Sequence, residues 1–144
     1  MSVKQISVFV ENRPGKLQAL TSLLAEKKIN MRALSLAETS EFGIVRIIVD
    51  DLDAAVAMLQ EEGLVYTVSN VLGVAIPDEA GGLNRVLEIL NKTGVNIEYM
   101  YAFFGGKNTQ HAYMIFHVKN REAAVEALGA AGIECVVQSE LTSL

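Results

Sequence analysis

The sequence has few of the residues that build covalent or metal sites. Among 144 residues there is one cysteine, there are two prolines, and there is no tryptophan. Cys135 cannot form an internal disulfide, which fits a reducing compartment, and its apolar neighbours favour a buried, inert thiol. The two histidines, His111 and His117, fall on one predicted strand roughly 20 Å apart, too far to share a metal ion. We therefore expect no metal and no cofactor.

Positive charge is scarce as well. The formal net charge is −5, and acidic residues outnumber basic ones in both halves of the chain. Binding a phosphate backbone needs a basic surface, so we expect no nucleic-acid partner. No apolar run reaches about 18 residues and the N-terminal segment is not a signal peptide, so we expect a cytoplasmic protein with no membrane partner. The motifs of phosphate loops, zinc sites and serine nucleophiles are absent, so nothing indicates an enzyme.

The sequence does contain apolar patterns that define strands and helices. In the first half, alternation predicts a strand around Val8, and helical leucine spacing predicts a helix over residues 14–28 with Pro14 at its first position. The acids at 50–53 open a second helix, which Gly63 ends. Three more strands are predicted, over residues 30–36, 44–49 and 65–69.

The second half repeats the order β-α-β-β-α-β. Predicted strands cover residues 72–76, 96–103, 112–118 and 133–137, with a turn at 105–108, a helix that Gly94 ends, and a helix capped by Asn120. An offset of 66 relates Gly15 to Gly81, Leu17 to Leu83 and Asn30 to Asn96, and an offset of 69 relates Gly63 to Gly132. Two registers that each hold over several residues indicate a duplication. We predict two modules, residues 1–70 and 71–144.

Each copy has a tight turn between its first strand and first helix. These are the first-module turn, residues 11–17 (Glu-Asn-Arg-Pro-Gly-Lys-Leu), and the second-module turn, residues 77–83 (Pro-Asp-Glu-Ala-Gly-Gly-Leu). Asn-Arg-Pro-Gly-Lys-Leu, followed by Ile-Asn-Met at 29–31, resembles the ACT-domain family of amino-acid-sensing regulatory modules. The first copy particularly resembles the regulatory domain of bacterial phosphoglycerate dehydrogenase, which senses serine. The second copy departs from the pattern at Asp78 and Ala80, which replace Asn12 and Pro14.

The resemblance implies an α+β fold of two tandem ferredoxin-like modules, each an antiparallel sheet with helices on one face. It also implies that an amino acid binds between modules, where the turn of one faces the start of the second strand of its partner. The predicted ligand-binding residues are Asn12, Arg13, Pro14, Gly15, Lys16, Leu17, Asn30 and Met31 in the first copy, and Asp78, Glu79, Ala80, Gly81, Gly82, Leu83, Asn96 and Ile97 in the second.

The chemistry of the turns suits an amino acid. The first N–H groups of a helix lack intrahelical partners and attract a carboxylate. Gly15 allows close approach, and an asparagine offers both donors and acceptors. The alternative is that Asn12 only caps the helix and Asn30 only starts a strand. The first turn carries Arg13 and Lys16, whereas the second carries Asp78 and Glu79. Because of this difference in charge, we expect two sites of unequal affinity.

These observations predict a non-catalytic regulatory protein that binds a free amino acid between ACT-like modules and forms a homodimer through exposed strand edges. A first alternative is a regulatory small subunit of an amino-acid biosynthetic enzyme, as similar modules are in acetolactate synthase, with that enzyme as partner. A second is an RNA-binding module, which shares the element order but needs a basic surface.

Overall fold

The computed structural model describes residues 2–103 and 110–143, so the turn predicted at 105–108 lies outside the described residues. The chain forms two compact units. The first module is Lys4–Ser69, and the second module comprises the rest of the described chain. Each has its own hydrophobic core.

The first module has the predicted order of elements. They are β1 (Val3–Glu11), α1 (Lys16–Glu26), β2 (Met31–Glu38), β3 (Phe42–Val49), α2 (Leu52–Glu61) and the beginning of β4 (Tyr66–Pro77). The strands β2, β3 and β1 pair in that order, all antiparallel. On the other side of β1, the Phe9 amide donates to the Val65 carbonyl at 3.0 Å, just before β4 begins.

Both helices of the first module cover one face of this sheet. Leu20 and Leu24 of α1 are buried at helical spacing, while α2 buries Ala55, Met58 and Leu59. They pack against alternate strand residues, among them Ile6, Val8, Val45 and Ile47. The alternate residues of the strands and the residues spaced by one helical turn thus pack together in one hydrophobic layer between sheet and helices. This arrangement confirms the ferredoxin-like prediction.

The second module repeats the arrangement. After the end of β4 come α3 (Gly82–Lys92), β5 (Ile97–Ala102), β6 (His111–Val118), α4 (Arg121–Ala130), β7 (Cys135–Val136) and α5 (Gln138–Ser143). The strands pair antiparallel in the order β5, β6, β4, β7. The register Ile76↔Ala112 in this sheet corresponds to Val10↔Gly43 in the first module, so the offsets seen in the sequence are also those of the structure.

Several predicted boundaries were wrong. Pro14 is not the first residue of α1, which begins at Lys16 because Gly15 adopts a left-handed conformation (φ 86°) that no α-helix accommodates. The strands predicted over 65–69 and 72–76 are one strand, β4, since no glycine or proline separates them. The last strand covers only Cys135–Val136, and α5 follows it unpredicted.

Candidate functional site

The first-module turn is held by backbone hydrogen bonds. The Asn12 amide donates to the carbonyl of Glu41 at 3.0 Å, which ties the turn to the β2–β3 hairpin. Within the turn, the Arg13 amide donates to Glu11 at 2.9 Å and the Lys16 amide donates to Arg13 at 3.3 Å. Backbone hydrogen bonds and left-handed Gly15 therefore form the scaffold of this turn.

The second-module turn has the same bonds at the equivalent residues. The Asp78 amide donates to Gln110 at 2.9 Å, the Glu79 amide to Pro77 at 2.9 Å, and the Gly82 amide to Glu79 at 3.0 Å. Gly81 is left-handed like Gly15, with φ 83°. The two turns thus share one backbone scaffold, although five of their seven residues differ.

The helices that follow these turns begin without a side-chain cap, unlike the other long helices. Asp51 accepts a hydrogen bond from the Ala54 amide at 3.0 Å at the start of α2, and Asn120 accepts one from Ala123 at 3.1 Å at the start of α4. Neither α1 nor α3 has such a bond. The N-termini at both turns are therefore the ones whose amide groups an external anion can reach.

Asn12 does not cap α1. Its side-chain Nδ2 donates to the Thr39 carbonyl at 3.1 Å and lies 3.5 Å from Oε2 of Glu38, so it bridges from the turn to the end of β2. The capping alternative for this residue is thereby wrong. The bridge holds the amide at the edge of a cavity, described next.

A pocket of about 280 Å³ lies beside the first-module turn and is formed entirely by first-module residues. Its apolar walls are Val10, Leu17, Leu36 and Gly43. Its polar residues are Glu11, Asn12, Arg13 and Glu38. The pocket therefore combines an aliphatic interior with a carboxylate, an amide and a guanidinium, which are the groups that suit a small zwitterion.

Charged side chains near each turn form ion pairs. Arg13 pairs with Glu11 at the first-module turn, and Arg85 of α3 pairs with Glu79 at the second. All four side chains are more than half exposed, so each pair contributes little to folding and can open for a ligand at small cost. Lys16 and Asp78 still leave the two turns with different charge.

Asn30 and Met31 lie at the opposite end of the first module from its turn. β2 begins with the pairing Met31↔Val49 and ends with Glu38↔Gly43 beside the pocket, a length of roughly 25 Å for eight residues. The Asn30 backbone exchanges two hydrogen bonds of 3.0 Å with Asp50, and the Met31 side chain packs against the core. The structure therefore does not bring Asn12 and Asn30 together within one module.

The remaining predicted residues divide by position. Pro14 and Ala80 are exposed at the tips of their turns. Lys16 lies on another groove, lined also by Phe9 and Leu20. Gly82 is buried, and Leu83 is 37% exposed.

Asn96 and Ile97 lie at the positions of the second module that are equivalent to Asn30 and Met31 in the first. The Asn96 carbonyl accepts from the Lys119 amide at 3.4 Å, and Ile97 packs against the core. They too lie at the end of the sheet opposite their turn, since β5 pairs from Ile97↔Val118 to Ala102↔Met114.

Five pocket residues, Val10, Glu11, Leu36, Glu38 and Gly43, are not among the predicted ligand-binding residues. Val10 and Leu36 were predicted only as strand residues and Glu11 only as part of the turn, while Glu38 and Gly43 were assigned to no site. One signal was available: a glycine inside a strand leaves space where a side chain belongs. Using it required the strand register that sets Gly43 opposite Val10 and Glu38.

The other chemistry-bearing residues have structural surroundings. His117 Nδ1 lies 3.0 Å from Glu98 Oε2, and its ring stacks on Tyr99 with centroids 4.8 Å apart. Cys135 is buried, and burial raises the pKa of its thiol. Within residues 2–103 and 110–143, no three His, Cys, Asp or Glu side chains are grouped so as to hold a metal ion. No helix in the described part of the chain has the length and apolarity needed to cross a membrane.

Solved structures with this fold include two informative relatives. Protein BT0572 from Bacteroides thetaiotaomicron is 36% identical, with a TM-score of 0.91 over 100% of this chain and 98% of that one. The regulatory subunit of aspartate kinase from Thermus thermophilus, in a ligand-free form, is 18% identical, with a TM-score of 0.63 over 89% of this chain and 91% of that one. At that identity the second likeness shows the fold alone.

Comparison of sequences gives the family. No curated protein sequence matches the chain. A family model described as an ACT domain pair matches residues 1–144, which is the whole sequence. Together with the duplicated β-α-β-β-α-β architecture, this match identifies the chain as a member of the ACT domain pair family.

Proposed function

We propose that this ACT domain pair is a non-catalytic regulatory protein that binds a free amino acid at an interface between ACT modules. The first-module pocket supplies one side of the site, with the Asn12 amide at its edge. The uncapped start of α1 is available to the ligand carboxylate. Glu38, which carries no ion pair with a basic residue among the described contacts, is available to the ammonium group.

One observation carries the interface part of the proposal. Asn12 and Asn30 lie at opposite ends of one sheet, so a ligand that contacts both asparagines must lie between two modules. A ligand that bridges two modules favours the assembly it fits, by its difference in affinity between the assembled and separated states. A homodimer whose stability depends on the amino acid is the simplest such assembly.

The experiment is a thermal-shift screen of the twenty amino acids on the wild type and on Asn30→Ala. A ligand that binds only the folded state raises the unfolding midpoint by mass action. We expect one amino acid, or one chemical group of them, to raise the midpoint, and Asn30→Ala to lose at least about tenfold in affinity. Asn30 suits this test because its described hydrogen bonds to Asp50 use only its backbone and survive the substitution.

Asn91→Ala is the matched control, because Asn91 is an exposed asparagine near the end of α3 and outside the second-module turn. It should bind like the wild type. Sedimentation with and without the ligand then reports the assembly state. An Asn30→Ala variant that binds as tightly as the control would refute an interface site that uses both asparagines.

A second candidate is a regulatory subunit of an amino-acid biosynthetic enzyme. The fold likeness to the regulatory subunit of aspartate kinase from Thermus thermophilus favours this candidate, since that chain is matched over 91% of its length. Co-purification of a larger enzyme with the tagged chain, and a change in its feedback inhibition on removal of the chain, is the expected result. A free-standing sensor co-purifies no such enzyme.

Three finer expectations belong to the same proposal. The resemblance of the first module to the regulatory domain of phosphoglycerate dehydrogenase makes serine one of the first ligands to test. The cytoplasm is the expected location. An RNA-binding role is disfavoured by the net charge of −5, and absence of binding to single-stranded RNA at low salt is the expected result.

A further inference from the structure

We propose that Gly43 sets the ligand specificity of the first-module pocket, which takes the side chain of a branched aliphatic amino acid: valine, leucine or isoleucine. This inference rests on the proposed amino-acid binding and adds the class of ligand, the module that binds it and the residue that makes room for it.

Gly43 lies at the open end of the first-module core and places no side chain between Leu36 and Val10. It pairs with Val10 of β1, and it continues the row of inward-facing β3 residues Val45, Ile47 and Val49. A Cβ at Gly43 would lie 3.1 Å from Leu36 Cδ1 and 3.3 Å from Val10 Cγ2, both pocket walls. Any larger side chain here must therefore push into the pocket or displace its walls.

The second module fills the equivalent position. Ala112 pairs with Ile76 as Gly43 pairs with Val10, so it occupies the same place in the sheet. Ala102 is the second-module equivalent of Leu36. The pairing Ala102↔Met114 in the second module corresponds to Leu36↔Val45 in the first, at the offsets of 66 and 69 residues. The second module thus adds a methyl group at the floor and removes a large aliphatic wall. We infer that the high-affinity site belongs to the first module.

The chemistry of the interior selects the ligand side chain. Val10, Leu17 and Leu36 present only aliphatic groups, and the polar side chains lining the pocket belong to the turn and to Glu38 at the end of β2. A hydroxyl, amide or charged group that entered this interior would lose its water without gaining a partner. At about 280 Å³ the pocket is near the lower limit for small-molecule sites, which fits one amino acid.

The test is calorimetric titration of the wild type with valine, leucine, isoleucine, serine, threonine, aspartate and lysine. We expect a branched aliphatic amino acid to bind best, at one ligand per chain. Gly43→Val fills the pocket and should weaken binding by about 100-fold, within the range that a misplaced methylene group produces. Ala112→Val makes the matching change in the second module and should leave affinity unchanged.

Folding of the variants is checked by circular dichroism and thermal unfolding. Valine suits a strand, and Gly43 does not need a positive φ, so Gly43→Val should fold. Leu36→Ala provides an independent test, since Leu36 is 53% exposed and its truncation costs the fold little. It removes a wall and should weaken binding of the aliphatic ligand by about tenfold.

The outcomes separate the two proposals. If no amino acid binds the wild type, the proposed function fails and this inference fails with it. If serine, threonine, aspartate or lysine binds best, the sensor function stands and the aliphatic class is refuted. If an aliphatic amino acid binds but folded Gly43→Val and Leu36→Ala bind it like the wild type, or Ala112→Val also loses it, the assignment to the first-module pocket is refuted.

Discussion

The two turns have the same backbone and different surroundings. Matching amide-to-carbonyl bonds at 2.9–3.3 Å hold residues 11–17 and 77–83. Beside the first turn lies a pocket with Gly43 at its floor, while the second module has Ala112 at that place. The comparison teaches that the turn and the pocket beside it depend on different groups. The backbone and one glycine fix the turn, whereas side chains of the neighbouring strands line the pocket.

The position after the left-handed glycine shows a second difference. The first module has Lys16 there and the second has Gly82. A Cβ on Gly82 would come within 2.2 Å of the Pro77 carbonyl oxygen, an impossible approach. The backbone at Pro77 therefore lies too close to the start of α3 to leave room for a side chain at position 82, so packing requires a glycine there.

The largest expected effect on stability comes from replacing this glycine. Gly82→Ala forces the backbone at Pro77 to move, and we expect it to cost about 3 kcal/mol of the free energy of unfolding. Urea unfolding followed by circular dichroism measures it, and hydrogen exchange over α3 localises it. Lys16→Ala changes the equivalent residue and should cost less than about 0.5 kcal/mol. Equal costs for the two variants would show that the close approach is not the cause.

An intermediate loss of stability is expected on replacing the left-handed glycine that both turns share. Gly15 and Gly81 have φ of 86° and 83°, and no atom lies within 4 Å of a Cβ on either. Alanine at each position should therefore cost only the strain of the left-handed conformation, about 1–2 kcal/mol, and nearly the same in both modules. Thermal unfolding of the two variants gives the comparison. A large inequality would mean that the scaffolds are less alike than their hydrogen bonds indicate.

The smallest expected effect is a pH dependence of stability at one of two equivalent positions, which Tyr66 occupies in the first module and Cys135 in the second. Tyr66 has its hydroxyl oxygen 2.9 Å from Gln60 Nε2, whereas Cys135 is buried, and burial raises the pKa of its thiol. Because the folded state favours the protonated thiol, this contribution to stability is present below the unfolded-state pKa. It is lost as the pH rises through the higher folded-state pKa. Unfolding midpoints of the wild type should therefore fall slightly more at alkaline pH than those of Cys135→Ala.

Much of the fold followed from local patterns. The element order, a cap among the acids at 50–53, the Asn120 cap and the helix-ending glycines 63 and 132 were predicted and are confirmed, because each depends on residues close in sequence. The start of α1 was wrong because Pro14 suits a first helical turn in general, while the left-handed Gly15 after it delays the helix. The continuity of β4 was missed because a repeat boundary suggested a break in the strand.

The site was less predictable than the fold. Of the predicted turn residues, Asn12, Arg13 and Leu17 line the pocket. The pocket itself depends on the register that brings Leu36, Gly43 and Val10 together from three strands. The hydrogen bond from Asn12 to the β2–β3 hairpin also joins segments that are distant in sequence, and neither of the roles predicted for that residue, capping and ligand binding, implies it. The ligand assignments of the sixteen predicted residues stay predictions until binding is measured.

The backbone scaffold of the turns has an evolutionary consequence. After a duplication, a copy whose loop geometry depends on peptide groups and one glycine can change its side chains singly without losing its shape. Asp78, Glu79 and Ala80 occupy the positions in the second module that Asn12, Arg13 and Pro14 occupy in the first. A chain of this kind can keep one copy for recognition while the other acquires a different ligand, or none, through changes that each cost the fold little.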